Sequence, residues 1–152
     1  MKTGRMRHLL LTAVALLTAC SSIPLKQRQD EQRSRYLAYA GAPIDQFTWL
    51  GRYDSWTPIG TNELVVWTTP FQAYLLRVAP PCDNLEFVNH IGLTSTSNTV
   101  SAKFDFVKVG RTWRCPIQEI RPIDYSRMRA DLRKEKESGG TPAPSGTPAP
   151  AT

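Results

Sequence analysis

Four groups of residues in this 152-residue chain have types that could do chemistry. They are Cys20 behind a run of small residues, the separated cysteines Cys82 and Cys115, His90 beside the hydroxyls of Thr94 to Ser97, and the aromatic segment from Trp49 to Trp56. His90 is the one histidine after the first twenty residues. A histidine base needs a nucleophile and an orienting partner near it in space. Ser95, Ser97 and Asp105 are close in sequence, but spacing alone does not bring them to the ring. No glycine-rich phosphate loop follows a strand, and no nucleophile elbow is present. The balance leans away from an enzyme. A small periplasmic hydrolase using His90 and a nearby hydroxyl stays as the alternative.

Metal chemistry needs several soft or imidazole ligands at close range. One histidine and two distant cysteines do not supply them, and the carboxylates lack calcium-loop spacing. No metal and no cofactor is expected. The aromatic segment says more. Trp49, Arg52, Tyr53, Asp54 and Trp56 interleave flat rings with hydrogen-bonding charges. Rings stack on the apolar faces of sugars, while Arg and Asp bond hydroxyls or carboxylates. Such a surface would suit cell-wall glycan or a peptide. The same rings on alternating strands would otherwise be core, with Trp56, in an expected turn, the one left outside.

The start of the chain has three parts. Lys2, Arg5 and Arg7 make it positive, Leu9 to Leu17 is apolar but for Thr12, and Leu17-Thr18-Ala19-Cys20 closes it. This is the anatomy of a secretory signal. Nine residues make only about 14 Å of helix, half of the roughly 30 Å bilayer core. The closing residues resemble the lipobox of bacterial lipoproteins: aliphatic, small, Gly or Ala, then Cys. That resemblance implies a diacylglycerol on the Cys20 sulfur and cleavage between Ala19 and Cys20. It also implies an outer-membrane destination facing the periplasm, because Ser21 and not Asp follows the cysteine. Several acyl chains on one residue would hold the protein to the membrane essentially irreversibly.

Removing the leader changes the charge. Three of the 19 Lys and Arg belong to it, leaving 16 against 13 Asp and Glu, so the net +6 becomes +3. That balance does not argue for nucleic acid. In an oxidising compartment, Cys82 and Cys115 read as one disulfide, closing a loop of about thirty residues. A redox or metal pair is the other possibility, without a CxxC spacing to support it.

The elements that must position these groups follow from periodicity. Residues 1–19 form the signal and 20–25 a tether. The folded domain is 26–137, and a Pro/Ala/Thr-rich tail follows at 138–152, where Thr-Pro-Ala-Pro occurs twice. Tail sequence of this kind is expected to stay disordered. A first helix begins near Lys26, with Arg33, Tyr36, Leu37 and Ala40 on one face and Gly41 as its stop. Strands are expected at Phe47 to Tyr53, Glu63 to Thr69, Ala73 to Val78, Leu85 to Leu93, Lys103 to Val109 and Thr112 to Ile120. Asp54 to Gly60 reads as a loop, Thr94 to Asn98 as a turn, and Pro122 as the end of the sheet. Phe104 and Phe106 share one face of their strand. Asp124 caps a last helix, Tyr125 to Glu137, with Tyr125, Met128 and Leu132 as its apolar stripe. Its basic residues, from Arg127 to Lys136, are a solvated face or a contact for anionic headgroups. The fold class is mainly β (α+β), a small antiparallel sheet or partly closed barrel of five or six strands between two helices.

The middle of the chain also resembles a family of short proteobacterial lipoproteins. The matching residues are Leu64-Val65-Val66-Trp67-Thr68, Pro70, Ala73-Tyr74-Leu75-Leu76, Cys82, Ile91-Gly92-Leu93-Thr94-Ser95, Cys115 and Arg121-Pro122. The family carries no assigned activity, ligand or catalytic residue. The resemblance implies pairing of Cys82 with Cys115 and an anchor at Cys20. The expectation is a non-enzymatic, membrane-anchored domain that binds or scaffolds cell-wall glycan or an envelope protein. An accessory subunit of an outer-membrane assembly is a further alternative.

Overall fold

The computed structural model describes residues 25–139. The expected signal at 1–19, the expected lipidation site at Cys20 and the tail beyond Gly139 lie outside them. Helix α1 (Leu25–Ala38) is polar along most of its length, and Lys26 through Arg35 are all exposed. Its apolar contacts with the sheet come from Tyr36 and Leu37, in its last turn. The helix ends before Gly41, contrary to expectation. Ala40 forms a β-bridge with Ile123, and the Gly41 N–H donates to the Pro122 carbonyl at 2.8 Å. Arg121 donates to the carbonyls of Gly41 and Ala40 at 2.7 and 3.1 Å. Tertiary hydrogen bonds therefore take over the chain where the next helical turn would form. Gly41 serves close approach instead, since a Cβ there would meet Pro122 Cγ at 3.3 Å.

Eight strands follow: β1 (Gln46–Thr48), β2 (Ser55–Gly60), β3 (Glu63–Thr69), β4 (Gln72–Val78), β5 (Ile91–Leu93), β6 (Thr99–Ser101), β7 (Phe106–Val109) and β8 (Trp113–Ile123). Six form one antiparallel sheet in the order β2-β3-β4-β8-β7-β5, curled into a half-barrel, while β1 and β6 pair separately. The architecture is mainly β with flanking helices, as the periodicity requires.

β3 and β4 are buried on both faces because both are covered. Leu64, Val66, Tyr74, Leu76 and Val78 face the inside of the curl, with Phe47, Trp49 and Val100 from the small sheet's side of the chain. Val65, Trp67, Ala73 and Leu75 face outward, under Tyr36 and Leu37 of α1 and Tyr125 of α2 (Tyr125–Ser138). Two tyrosines meet Trp67 edge-on, Tyr36 at 5.8 Å and Tyr125 at 6.3 Å between ring centroids. Each large apolar side chain removed from water in this way contributes about 1.5–3 kcal/mol. Trp67 thus fixes both helices to one spot on the sheet.

Several expected boundaries move. Asp54 to Gly60 is not a loop: Ser55–Gly60 is an edge strand, paired with β3. Pro58 is tolerated because an edge strand has one side without ladder partners. The strand expected at Phe47 to Tyr53 stops at Thr48, and Gly51 turns the chain with φ +80°. Leu85 to Leu93 is mostly a turn, in which Leu85 plugs the core and only Ile91–Leu93 pairs. Phe104 is 80% exposed, on a turn with Lys103 at φ +69°, so it does not share a strand face with Phe106. Pro122 does not end the sheet, because β8 continues through it opposite Tyr74.

β8 joins the two ladders. Its first half pairs with β7 and its second with β4, and within the β4 ladder the register shifts by one residue at Gln118, between the pairs Arg77–Glu119 and Val78–Ile117. Such a bulge bends a strand and raises its twist, which suits the curl. Cys115, in the first half, is bonded to Cys82 in the loop after β4. Asp124 caps α2 by accepting the Arg127 N–H at 3.0 Å, and Gly139 ends that helix in the left-handed region at φ +60°. The helix runs through Ser138, one residue further than its sequence pattern suggests.

Candidate functional site

The aromatic segment does not form a surface platform. Trp49 is only 4% exposed and lies in the inner core. Tyr53 stacks near it at 6.2 Å, and its hydroxyl donates to the Ile91 carbonyl at 3.1 Å. Trp56 sits on β2, half-buried against the same cluster, and not in a solvent-facing turn. Arg52 and Asp54 are exposed beside them, on a loop whose rings point the other way. The expectation of a ring-lined sugar surface fails for a simple reason. In a curled sheet, large rings fill the concave side, where they remove the most apolar area from water.

His90 is exposed at the start of β5. The nearest candidate hydroxyl in sequence, that of Thr94, is committed elsewhere. It donates to Asp105 Oδ1 at 2.7 Å and accepts the Phe106 N–H at 2.8 Å. Asp105, itself buried, also accepts the Ser101 N–H at 2.8 Å. These groups tie the ends of β5, β6 and β7 together, which is structural work. Cys82 and Cys115 are buried, with sulfurs 2.03 Å apart. Among the described residues, no group of three or more His, Cys, Asp or Glu could hold a metal ion.

A different site does assemble, on the outer face of the sheet. Glu63 on β3, Arg77 on β4 and Glu119 on β8 are register partners in one row. Arg33 of α1 joins the row's end. Its Nε and Nη2 meet Glu63 Oε2 and Oε1 at 2.6 and 3.1 Å, a two-pronged pair. Arg77 Nη2 is hydrogen-bonded to Glu119 Oε2. The signs therefore alternate, Arg33, Glu63, Arg77, Glu119. The hydrogen bond to Glu63 raises the Arg33 pKa further above its usual value, against a smaller opposing effect of burial. Beside the row is a shallow groove of about 360 Å³, lined by Arg33, Asn62, Glu63, Arg77, Pro80 and Gln118 among others.

Sequence reading did not single out these residues. One signal was available: Glu63, Val65 and Trp67 alternate on β3, as do Ala73, Leu75 and Arg77 on β4. A charge two residues beyond a buried pair marks where a covered face becomes open. What alternation could not reveal is which charges are neighbours, because that needs the register.

A family comparison gives the chain's place among known proteins. The match runs from residue 3 to residue 139. The chain belongs to the family of unknown function DUF6491. The DUF6491 match takes in every element from α1 to α2, and hence the whole charged row, together with most of the residues that precede α1. No curated protein and no solved structure gives a significant match.

The basic residues of α2 are partly engaged by the fold. The Arg127 guanidinium lies 5.5 Å from the Tyr39 ring centre, and that of Arg129 lies 6.0 Å from the Tyr125 ring. Lys134 is 3.7 Å from Asp131, which also accepts the Tyr39 hydroxyl at 3.0 Å. Among the described residues, no helix is long and apolar enough to cross a membrane.

Proposed function

We propose that this DUF6491 protein is an exported bacterial lipoprotein, held to the outer membrane through Cys20 and facing the periplasm. Its folded part acts there as a non-enzymatic binding or scaffolding domain. The observation that carries this reading is the sequence Leu17-Thr18-Ala19-Cys20 behind a positive start and a nine-residue apolar run. The Cys82–Cys115 bond supports it, because disulfides persist in oxidising compartments and are rare in the cytosol. The match to one family over leader and domain together supports treating the two as one unit. The charged row beside the groove is the surface such a domain would use, since the aromatic rings are spent on the core.

Expression of the full chain and of Cys20→Ala in a Gram-negative host tests this. The wild type should sediment with outer-membrane vesicles, carry the mass of a diacylglycerol and acyl group on Cys20, and lack residues 1–19. Cys20→Ala should appear in the soluble fraction or as unprocessed precursor without lipid. A wild-type protein lacking added lipid mass would sink the proposal.

A further inference from the structure

The charged row lies at the root of α1. Arg33 clasps Glu63, the first residue of β3, while Tyr36 meets Trp67 further along the same strand. The residues before Arg33 are exposed. Arg33 itself lies beside Gly60 and Glu63 at the β2–β3 turn while Tyr36, one turn later, lies further along β3, so the helix enters from the side of that turn. Leu25 to Arg33 is about 12 Å of helix at 1.5 Å per residue. Five residue steps from Cys20 to Leu25 span at most about 17 Å. On the anchored reading, on which this inference rests, the groove stays within about 30 Å of the acyl chains.

Charge then selects the occupant. A lone anion at Arg77 would face carboxylates on both sides, Glu63 and Glu119. A lone cation would face the guanidiniums of Arg33 and Arg77. A compact group carrying both signs meets neither penalty, because it can trade partners with both pairs. Such trading is easy here: the Arg33 and Arg77 side chains are 45% and 49% exposed, and exposed ion pairs contribute little. Guanidinium is suited to phosphate by its planar fork, and carboxylates accept the N–H groups of an ammonium.

We propose that this groove takes the phosphoethanolamine headgroup of a zwitterionic phospholipid. The phosphate sits at Arg77 and the ammonium reaches Glu63, which lines the same groove. The domain then rests with its β2–β3 turn toward the bilayer. The β3–β4 hairpin, with Phe71 70% exposed at its tip, points away from it.

Hydrogen exchange on the intact acylated protein tests the proposal. The protein is reconstituted in phosphatidylcholine vesicles, in the same vesicles with added phosphatidylethanolamine, and with phosphatidylglycerol added instead. Exchange at residues 60–63 and 77–79 should slow several-fold with phosphatidylethanolamine and much less with the other two. Arg77→Ala should abolish that slowing while the amides of β3, β4 and β8 keep their wild-type protection. Equal slowing in all vesicles, slowing only with phosphatidylglycerol, or no slowing at all would each overturn it. So would slowing by a soluble cell-wall peptide that phosphatidylethanolamine does not reproduce. Free phosphoethanolamine added to detergent-solubilised protein forms a separate arm. Slowing at the same amides supports headgroup recognition even if the protein proves to carry no acyl chain, so failure of the anchor and failure of the groove are told apart. If vesicles alone slow exchange, the intact lipid is the ligand.

Discussion

The hydroxyl of Thr94 donates to Asp105 Oδ1 at 2.7 Å, joining two residues eleven positions apart at the point where β5, β6 and β7 converge. The same hydroxyl accepts the Phe106 N–H, and the Thr94 N–H donates to the Phe106 carbonyl at 3.0 Å. A residue that could have served a histidine-based reaction is thereby a structural clasp. Asp105→Ala would strand the Ser101 N–H and the Thr94 hydroxyl in a largely buried place. Hydrogen bonds to a charged group contribute about 1.5–3 kcal/mol, so the variant should lose about that much in a urea melt. Thr94→Val should lose a similar or smaller amount. Unchanged midpoints for both would show that the clasp is not needed.

Arg33 and Glu63 bind α1 to the sheet by a fork, but Arg33 is nearly half exposed. Arg33→Ala should therefore cost no more than about 1 kcal/mol of global stability. Its larger effect should be local. Amide exchange in the last turn of α1 should quicken, while that of β3 stays as before. The raised Arg33 pKa adds stability that is complete below the ordinary arginine value and lost only above it. No pH dependence near neutrality should come from the arginine.

Tyrosines give the fold an alkaline limit. Burial raises the pKa values of Tyr36 and Tyr74, and burial followed by the hydrogen bond to Asp131 raises that of Tyr39. The native state thus holds these protons after the unfolded chain has released them. Stability should be level below the ordinary tyrosine value of 10.0 and fall as pH rises past it toward the folded values. Tyr36→Phe, which cannot ionise, should flatten that fall in melts taken across the range. An unaltered slope would contradict the assignment.

The Cys82–Cys115 bond spans a sequence separation of 33 residues. In the chain-entropy account, a loop of that size is worth about 3–4 kcal/mol. The double variant Cys82→Ala/Cys115→Ala should lose stability on that order, and reductant should lower the wild-type melting temperature toward it. A reductant-insensitive melt would show that the bond does not form in the protein.

The residues themselves determined the elements whose signals are local. β3 and β4 could be read as a hairpin because uninterrupted apolar runs flank Pro70, and α2 because Asp124 precedes a helical stripe. The mainly β class between two helices followed from the same periodicity. Tertiary structure alone decided where those signals were overruled. Pro58 belongs to a strand because β2 lies at an edge, and α1 stops at Ala38 because Pro122 and Arg121 capture the next backbone groups. Trp49 and Trp56 turned inward because the sheet curls and its concave side takes the largest rings. The charged row could not be seen in advance for the same kind of reason. Glu63, Arg77 and Glu119 lie far apart in sequence, and strand register, set by the burial of a whole face at once, is what brings them side by side.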